Sequence, residues 1–218
     1  MSEPVELEVF SDVACPWCFV GRRRLQGALA AELPGAVRVQ WRAFVLQPDI
    51  PEEGLEGDAF NARRFGSRET ALRALAGVRA EAAKEGLEYD FAAQRRVVNT
   101  MLAHRASVLA GPARPEVLEA LFSGFFEHGV DVGDVGELLA WLREREVPVD
   151  VEAMGIALRA GRGREEVQSE LALAPRMGVT AVPYFVADRR VGLPGAQQPA
   201  VLAKLFAAAR RRREQDAA

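Results

Sequence analysis

Cys15 and Cys18 are the only cysteines of the 218-residue chain, and they form a Cys-Pro-Trp-Cys motif. Two cysteines are too few to form a disulfide framework that stabilises a chain of this length. Their spacing instead suits reversible disulfide chemistry or metal binding. Zinc normally takes four ligands, and the two histidines, His104 and His128, each lack a partner three to five residues away. We therefore favour a redox pair over a zinc site or a pair of inert thiols.

The position of the motif assigns different roles to the two thiols. Alternating residues over 5–10 predict a strand, and helical spacing runs from about Cys15 to Leu33. The first turn of a helix stabilises a thiolate through its unpaired N–H groups, so we expect the pKa of Cys15 to lie below that of a free cysteine. Pro16 suits that turn. The sequence predicts Cys15 as the nucleophile and Cys18 as the resolving thiol.

Pro183 stands just before a predicted strand and is the second feature with chemical meaning. A proline cannot donate to a strand ladder, and at such a position it can form a cis peptide bond in a tight bend. We interpret Val182-Pro183 as a cis-proline loop against the cysteine pair, with the Val182 backbone free to pair with an extended substrate. An ordinary edge-strand proline is the alternative.

The elements that must position these residues lie at the two ends of the chain. Strand–helix–strand spacing over the first 45 residues, with a second strand over 37–45, is typical of a parallel sheet unit. Near the other end, 182–187 and 191–193 predict a hairpin, and 199–213 predicts a helix whose final arginine run we interpret as a solvated tail. In the first helix we expect apolar side chains to face the core and basic ones the solvent: Val20, Leu25, Leu29 and Leu33 against Arg22, Arg23 and Arg24.

Between these ends the pattern is helical. A connection rich in proline, glycine and acidic residues covers 47–67, and after it we expect no further strand in this region. The predicted helices are 68–85, 92–110, 115–128, 135–146, 151–160 and 164–177. The sequence thus predicts an α/β fold in which 1–46 and 178–218 form one βαβ…ββα domain, and 47–177 form a connection and a helical insertion.

Composition and charge exclude several classes of protein. The chain is 49% hydrophobic and 27% charged, as globular proteins are. A net charge of −3 argues against a nucleic-acid partner, and no apolar run is long enough to span a membrane. The N-terminal residues lack the basic and apolar segments of a secretory signal, so we expect a cytoplasmic protein.

With these motifs the chain resembles the DsbA family of the thioredoxin superfamily, and within it the FrnE-like group. The resemblance rests on SDVACPWCFVGRRRL at 11–25, WRAFVLQP at 41–48, NTMLAHR at 99–105, and GVTAVPYFV and PGAQ within 178–197. It implies a thioredoxin-like domain interrupted by helices, and thiol–disulfide exchange with protein or small-molecule substrates. The chain has AVP where the family often has GVP, and it lacks the extra C-terminal cysteines of some FrnE-like proteins.

The same scaffold leaves two other functions open. Kappa-class glutathione transferases and 2-hydroxychromene-2-carboxylate isomerases share it but typically carry serine in place of the first cysteine, so a glutathione-dependent transferase or isomerase is the rival enzyme. A chaperone-like module that binds unfolded chains is the alternative of another class. We expect no metal and no resident cofactor, with glutathione only as a redox partner; the sequence does not assign an oligomeric state.

The remaining candidate residues flank the cysteines or follow from the resemblance. We expect Asp12 to cap the first helix, or else to modulate the thiols by raising the pKa of Cys15. Pro16 and Trp17 are assigned to the substrate-contacting surface, although Trp17 could equally shield the cysteine pair. The resemblance implies further site residues: Gly195, Ala196 and Gln197 receiving a substrate carboxylate, and Asn99 and His104 near the active-site cleft.

Overall fold

The structure is a computed structural model that describes residues 3–57, 60 and 66–216. It contains two compact units, Met1–Phe44 with Glu170–Ala218 and Val45–Ser169. The described strands are β1 (Val5–Ser11), β2 (Val37–Ala43), β3 (Leu55–Glu56), β4 (Arg96–Val97), β5 (Tyr184–Ala187) and β6 (Val191–Pro194). The described helices are α1 (Pro16–Ala30), α2 (Arg68–Lys84), α3 (Met101–Leu109), α4 (Arg114–Glu127), α5 (Val135–Glu144), α6 (Val151–Arg159), α7 (Arg164–Arg176) and α8 (Pro199–Asp216), with a 3-10 turn at Gly111–Ala113.

The first unit is built on a four-stranded sheet in the order β2-β1-β5-β6. Strands β1 and β2 are parallel, while β5 pairs antiparallel with both β1 and β6. Helices α1 and α8 pack against each other. The aromatic core is fully buried and consists of Phe10, Phe19, Phe185 and Phe206. This βαβ…ββα arrangement is the fold class that the sequence predicts.

The end of α7 belongs to the first unit, so the second boundary falls at 169/170 rather than at the predicted 177/178. Ala174 and Val179 pack with Phe10 in one apolar cluster. The Glu170 carboxylate accepts a hydrogen bond from the Ala43 backbone N–H at 2.8 Å, which satisfies a donor at the end of β2. These contacts tie α7 to the sheet.

Two assignments in the helices were wrong. On α1, Arg22 and Arg24 are buried whereas Leu33, beyond the end of the helix, is 80% exposed. Arg22 stacks on Trp41, with its Cζ 5.0 Å from the ring centroid, so a guanidinium can cover the core as an apolar side chain would. The arginine run of α8 is not a free tail, because Arg210 pairs with Glu32 and Arg213 pairs with Asp188.

The second unit is mainly helical, but the expectation that it has no strands was wrong. Leu55–Glu56 pairs antiparallel with Arg96–Val97, inside the segment predicted as the helix 92–110. The helix begins only at Met101, because two side chains stabilise turns before it. The Asp90 carboxylate accepts a hydrogen bond from the Ala92 N–H, and the Asn99 side-chain oxygen accepts one from the Met101 N–H. Across the described ranges, no helix combines the length and apolar character needed to cross a membrane.

Candidate active site

Both cysteines are free and lie at the start of α1. Cys15 is the N-cap residue with an extended backbone, and Pro16 is the first helical residue. The Cys18 backbone N–H donates to the Cys15 carbonyl at 2.9 Å and closes the first turn. Cys15 is 4% exposed and Cys18 is 1% exposed. The first turn of the helix therefore sets the positions of both sulfurs, with Cys15 at its open end.

The Val182-Pro183 loop lies against Cys15. The peptide bond between Val182 and Pro183 is cis. The Cys15 thiol donates to the Val182 carbonyl, with 3.6 Å between Sγ and O, although the two residues are 167 positions apart in the chain. The Pro183 carbonyl in turn accepts from the Gly195 backbone N–H at 2.8 Å. The fold thus brings the nucleophile candidate, the proline loop and the segment before α8 together.

Gly21 is the point at which α1 approaches this loop most closely, and sequence reasoning missed it. A Cβ at this position would lie 3.0 Å from Pro183 Cγ and 3.6 Å from Ala196 Cα. Such contacts leave room for a hydrogen but not for a methyl group without displacement. The available signal was a glycine inside a helix, which costs about 1 kcal/mol relative to alanine and so indicates a packing requirement.

Arg24 ties the segment before α8 to α1 and is a second residue that the sequence did not reveal. Its Nη1 donates to the Ala196 carbonyl at 2.7 Å, and the side chain is buried. Gln197 Nε2 donates to the Pro194 carbonyl at 2.7 Å, and Gly195 has φ +81°, which glycine adopts readily. The predicted residues 195–197 therefore form an ordered loop beside Pro183.

Asp12 does not cap α1, which corrects the prediction. The N-cap is Cys15, without a side-chain capping bond, because the helix begins later than Asp12 could reach as its cap. The Asp12 carboxylate accepts from the Ala14 N–H at 3.2 Å, and its carbonyl accepts from the Cys15 N–H at 3.0 Å. Asp12 instead shapes the turn that leads from β1 into the cysteine motif.

Comparison with known proteins decides the family. Residues 6–207 match the family model for the DSBA-like thioredoxin domain. The chain belongs to this family. A probable DsbA oxidoreductase from Streptomyces coelicolor is similar to this chain in sequence and structure. The two are 30% identical, with a TM-score of 0.83 over 94% of this chain and 89% of the other.

Two further proteins are similar to this chain, one in sequence and one in structure. The uncharacterized protein YwbO of Bacillus subtilis is 28% identical over 195 residues, which is 88% of this chain and 90% of that protein. The cytosolic disulfide reductase DsbM of Pseudomonas aeruginosa, solved with GSH, is 16% identical with a TM-score of 0.62 over 98% of this chain and 100% of the other. The DsbM comparison shows a shared fold.

At the start of α1, burial controls the ionisation of Cys18. Burial raises the pKa of Cys18 well above its ordinary value, and the hydrogen bond and charge of Cys15 raise it further because a neighbouring thiolate opposes a second negative charge. The Asp12 backbone N–H and the Ser11 hydroxyl lower the pKa by a smaller amount. Cys18 is consequently a protonated thiol at neutral pH.

The other predicted site residues divide between the two units. Trp17 is 41% exposed and presents an aromatic surface between the cysteines, while Pro16 is half-buried. Asn99 lies in the second unit, where its Nδ2 donates to the Ile50 carbonyl at 2.6 Å, and His104 is buried in that unit. The roles expected of Asn99 and His104 at a cleft stay predictions. In the part of the chain that the structure describes, no group of three His, Cys, Asp or Glu side chains could hold a metal ion.

Proposed function

We propose that the protein is a thiol–disulfide oxidoreductase that exchanges disulfides through Cys15 and Cys18. The observation that carries the proposal is the free Cys15 thiol at the open end of α1, directed at the Val182 carbonyl of the proline loop. Membership of the DsbA-like family and the likeness to the probable oxidoreductase of Streptomyces coelicolor support the same chemistry.

The difference between the two thiols supports Cys15 as the nucleophile. A thiolate, rather than a thiol, attacks a disulfide. Burial raises the pKa of Cys18 well above its ordinary value, so Cys18 is protonated at neutral pH. Cys15 occupies the N-cap position, next to the unpaired N–H groups of the first turn.

In the reducing direction, the Cys15 thiolate attacks one sulfur of a substrate disulfide. The substrate S–S bond breaks, one substrate sulfur leaves as a thiolate that takes up a proton, and a mixed disulfide forms at Cys15. Cys18 then gives up its proton and attacks the Cys15 sulfur, which releases the second substrate thiolate. Two electrons pass from the dithiol to the substrate, and the Cys15–Cys18 disulfide remains. The oxidising direction is the reverse of these steps.

We assign substrate binding to the loop and the aromatic surface beside Cys15. The Val182 carbonyl meets the Cys15 thiol, so a bound disulfide at Cys15 lies beside main-chain groups that can pair with an extended peptide. The exposed ring of Trp17 offers apolar contact next to the pair. Main-chain pairing and a flat apolar surface do not depend on one substrate sequence, which suits a range of protein and small-molecule disulfides.

Glutathione is the proposed redox partner of the pair. Two glutathione thiols supply the two electrons that restore the Cys15–Cys18 dithiol, and glutathione disulfide is the product. The structure of DsbM with GSH shows that a protein of this fold accommodates glutathione, and residues 195–197 beside Pro183 are the candidate contact segment here.

Reduction of insulin disulfides, with glutathione as the electron source, tests the proposal. We expect the wild type to accelerate reduction, Cys15→Ser to be inactive, and Cys18→Ser to accumulate mixed disulfides that mass spectrometry detects. Equal residual activity of the two variants would contradict the assigned roles. Conjugation of glutathione to an electrophile, without disulfide reduction, would support the transferase alternative instead.

A further inference from the structure

Ser11 carries a buried hydroxyl that the fold itself does not use. Ser11 is the last residue of β1 and is 5% exposed. Its backbone is paired as the sheet requires, since its carbonyl accepts from the Phe44 N–H at 3.0 Å. Its Oγ, however, has no hydrogen-bond partner among residues 3–57, 60 and 66–216. A buried polar group without a hydrogen-bond partner destabilises the fold, so an unpaired hydroxyl at this place indicates a role outside the fold.

Ser11 stands directly before the turn that leads into the cysteine motif, where the Asp12 carbonyl accepts from the Cys15 N–H at 3.0 Å. The Ser11 hydroxyl is one of the groups that act on the buried Cys18 thiol. Burial is the largest influence on the pKa of Cys18 and raises it, and the Ser11 hydroxyl is one of two groups that oppose this effect. A neutral thiol is a weak acceptor, so the hydroxyl gains little from it in the dithiol state. A thiolate is a charged acceptor, and hydrogen bonds to charged groups are about twice as strong as those between neutral groups.

Few ionisable groups face Cys18. Cys15 does so from the same helix and disfavours a negative charge on Cys18. From the end of β1 come the Ser11 hydroxyl and the Asp12 backbone N–H, whereas the Asp12 carboxylate accepts the Ala14 N–H. The hydroxyl is therefore a neutral donor in a site that stabilises negative charge weakly.

We propose that the Ser11 hydroxyl is a hydrogen-bond donor kept for the Cys18 thiolate, the form that Cys18 takes whenever the Cys15–Cys18 bond is made or broken. This inference rests on the proposed function. In reduction of the disulfide, an incoming thiolate attacks the Cys15 sulfur, the bond to Cys18 breaks, and Cys18 leaves with the electron pair. Ser11 donates to that thiolate until it takes up a proton. In the reverse step the same hydrogen bond stabilises Cys18 as it attacks.

A titration of Cys18 tests the hydrogen bond without requiring exchange activity. The thiolate absorbance of Cys18 is measured against pH in the Cys15→Ala variant, with and without Ser11→Ala. A lost charge-assisted hydrogen bond moves the titration midpoint upward by about one pH unit. The matched control is Ser123→Ala, which removes another buried serine hydroxyl in the second unit and leaves the midpoint in place.

Kinetics test the step itself. The oxidised protein is reduced with dithiothreitol at neutral pH, and we expect Ser11→Ala to slow this step about tenfold, while Ser123→Ala leaves it unchanged. The equilibrium of the pair with glutathione at neutral pH stays the same, because neither the dithiol nor the disulfide uses the donor. The stability of Ser11→Ala is not lowered, since the variant removes an unpaired hydroxyl.

The outcomes separate this inference from the proposed function. If the wild type fails to exchange with any disulfide, the proposed function fails, and the titration still decides the role of Ser11. If the wild type exchanges but Ser11→Ala has the same midpoint and the same reduction rate, the inference is wrong. A glutathione equilibrium that shifts together with the rate, in a variant of lower stability, would indicate a merely structural serine and also overturn it.

Discussion

Two of the ionisable side chains that the first unit buries, Glu8 and Cys18, have pKa values shifted in opposite directions. Glu8 on β1 is 3% exposed and Cys18 on α1 is 1% exposed. Burial raises the pKa of both groups. For Glu8, hydrogen bonds and charges from Arg189 and Arg42 outweigh burial and lower the pKa below its ordinary value, whereas the pKa of Cys18 ends well above its own. The outcome depends on the partners rather than on the depth of burial.

The positions of the two arginines around Glu8 explain why its pKa is lowered while that of Cys18 is raised. Arg42 Nε and Nη2 donate to Glu8 Oε1 at 3.0 and 2.8 Å, and Arg189 donates to both carboxylate oxygens at 3.0 and 3.1 Å. Two guanidiniums thus hold one charge in a fixed position. The groups that act on the pKa of Cys18 are instead another sulfur, a hydroxyl and a backbone N–H, and none of these is a cation. The paired Glu8 carboxylate contributes to the stability of the fold. The Cys18 thiol has no cationic partner among the groups that act on it, so it stays neutral until the exchange reaction forms its thiolate.

The largest expected effect on stability comes from removing the charge of the Glu8 carboxylate. Glu8→Gln removes the carboxylate that Arg42 and Arg189 share, while Arg42 keeps its ion pair with Glu170 at 3.6 Å, so the free energy of unfolding should fall by about 2 kcal/mol. Denaturant unfolding monitored by circular dichroism measures the change. The rate of thiol–disulfide exchange in the folded variant should stay that of the wild type, because the charge serves the fold.

Glu6 supplies the matched control on the same strand. It pairs with Arg38, whose side chain is 65% exposed, so Glu6→Gln should cost less than about 1 kcal/mol. Equal losses for the two variants would show that burial of the carboxylate is irrelevant.

The next effect concerns the thiol site, and Gly21→Ala is the test. The added methyl group would press on the Pro183 ring, 3.0 Å away, and move the loop relative to Cys15. A displacement of a few tenths of an ångström should slow exchange about tenfold, since a shift of about 1 Å can cost about a hundredfold. Exchange with a small disulfide such as glutathione disulfide provides the measurement.

Gly27→Ala, on the same helix, controls for helix propensity. Its Cβ would lie 3.4 Å from Pro199 Cγ, close to ordinary contact, so the variant should gain up to about 1 kcal/mol of stability and exchange normally. If both variants exchange at the wild-type rate, Gly21 does not determine the position of the proline loop.

The sequence predicted the parts of the site that have strong local patterns. The Cys-Pro-Trp-Cys motif at a strand-to-helix junction, and a proline before a strand, are visible without coordinates because each depends on neighbouring residues. Gly21 and Arg24 were missed because their roles depend on Pro183 and Ala196, which are distant in the chain. Hydrophobic spacing assigned Arg24 to solvent, and it cannot show that a carbonyl from another segment receives the guanidinium.

The errors in the fold have the same origin. Helical spacing over 92–110 hid the short strand β4, whose pairing with β3 is non-local and spans only two residues on each side. The arginine run of α8 was assigned to solvent, yet Arg213 also donates to the carbonyls of Glu3 and Pro4 at the other end of the chain. Contacts between distant segments override local pattern in each case.

A smaller effect is expected at the loop of residues 195–197. Arg24→Met removes the donor to the Ala196 carbonyl while keeping most of the apolar stem. If this loop contacts glutathione, its KM should rise about fivefold with little change in kcat, as expected for one hydrogen bond of about 1 kcal/mol. Arg23→Met, the neighbouring position on α1, should leave KM unchanged. A KM that does not move in Arg24→Met removes 195–197 from the substrate site.

The smallest effect is the dependence of stability on pH, and it compares the two buried groups directly. The folded-state pKa of Glu8 lies below its unfolded value, so the protein loses stability as pH falls from the ordinary carboxyl range through the folded pKa. The folded-state pKa of Cys18 lies above its unfolded value. Stability is therefore fully present below the unfolded pKa of the thiol and is lost as pH rises through the folded pKa.

Denaturant unfolding of the reduced protein across acid and alkaline pH separates these two contributions. Glu8→Gln should flatten the acid side of the profile and leave the alkaline side unchanged, because the amide does not titrate. Cys18→Ala should flatten the alkaline side and leave the acid side unchanged. If Cys18→Ala retains the full alkaline loss, the buried thiol is not the group that titrates there. Of these two buried groups, only Glu8 would then contribute to the pH dependence of stability.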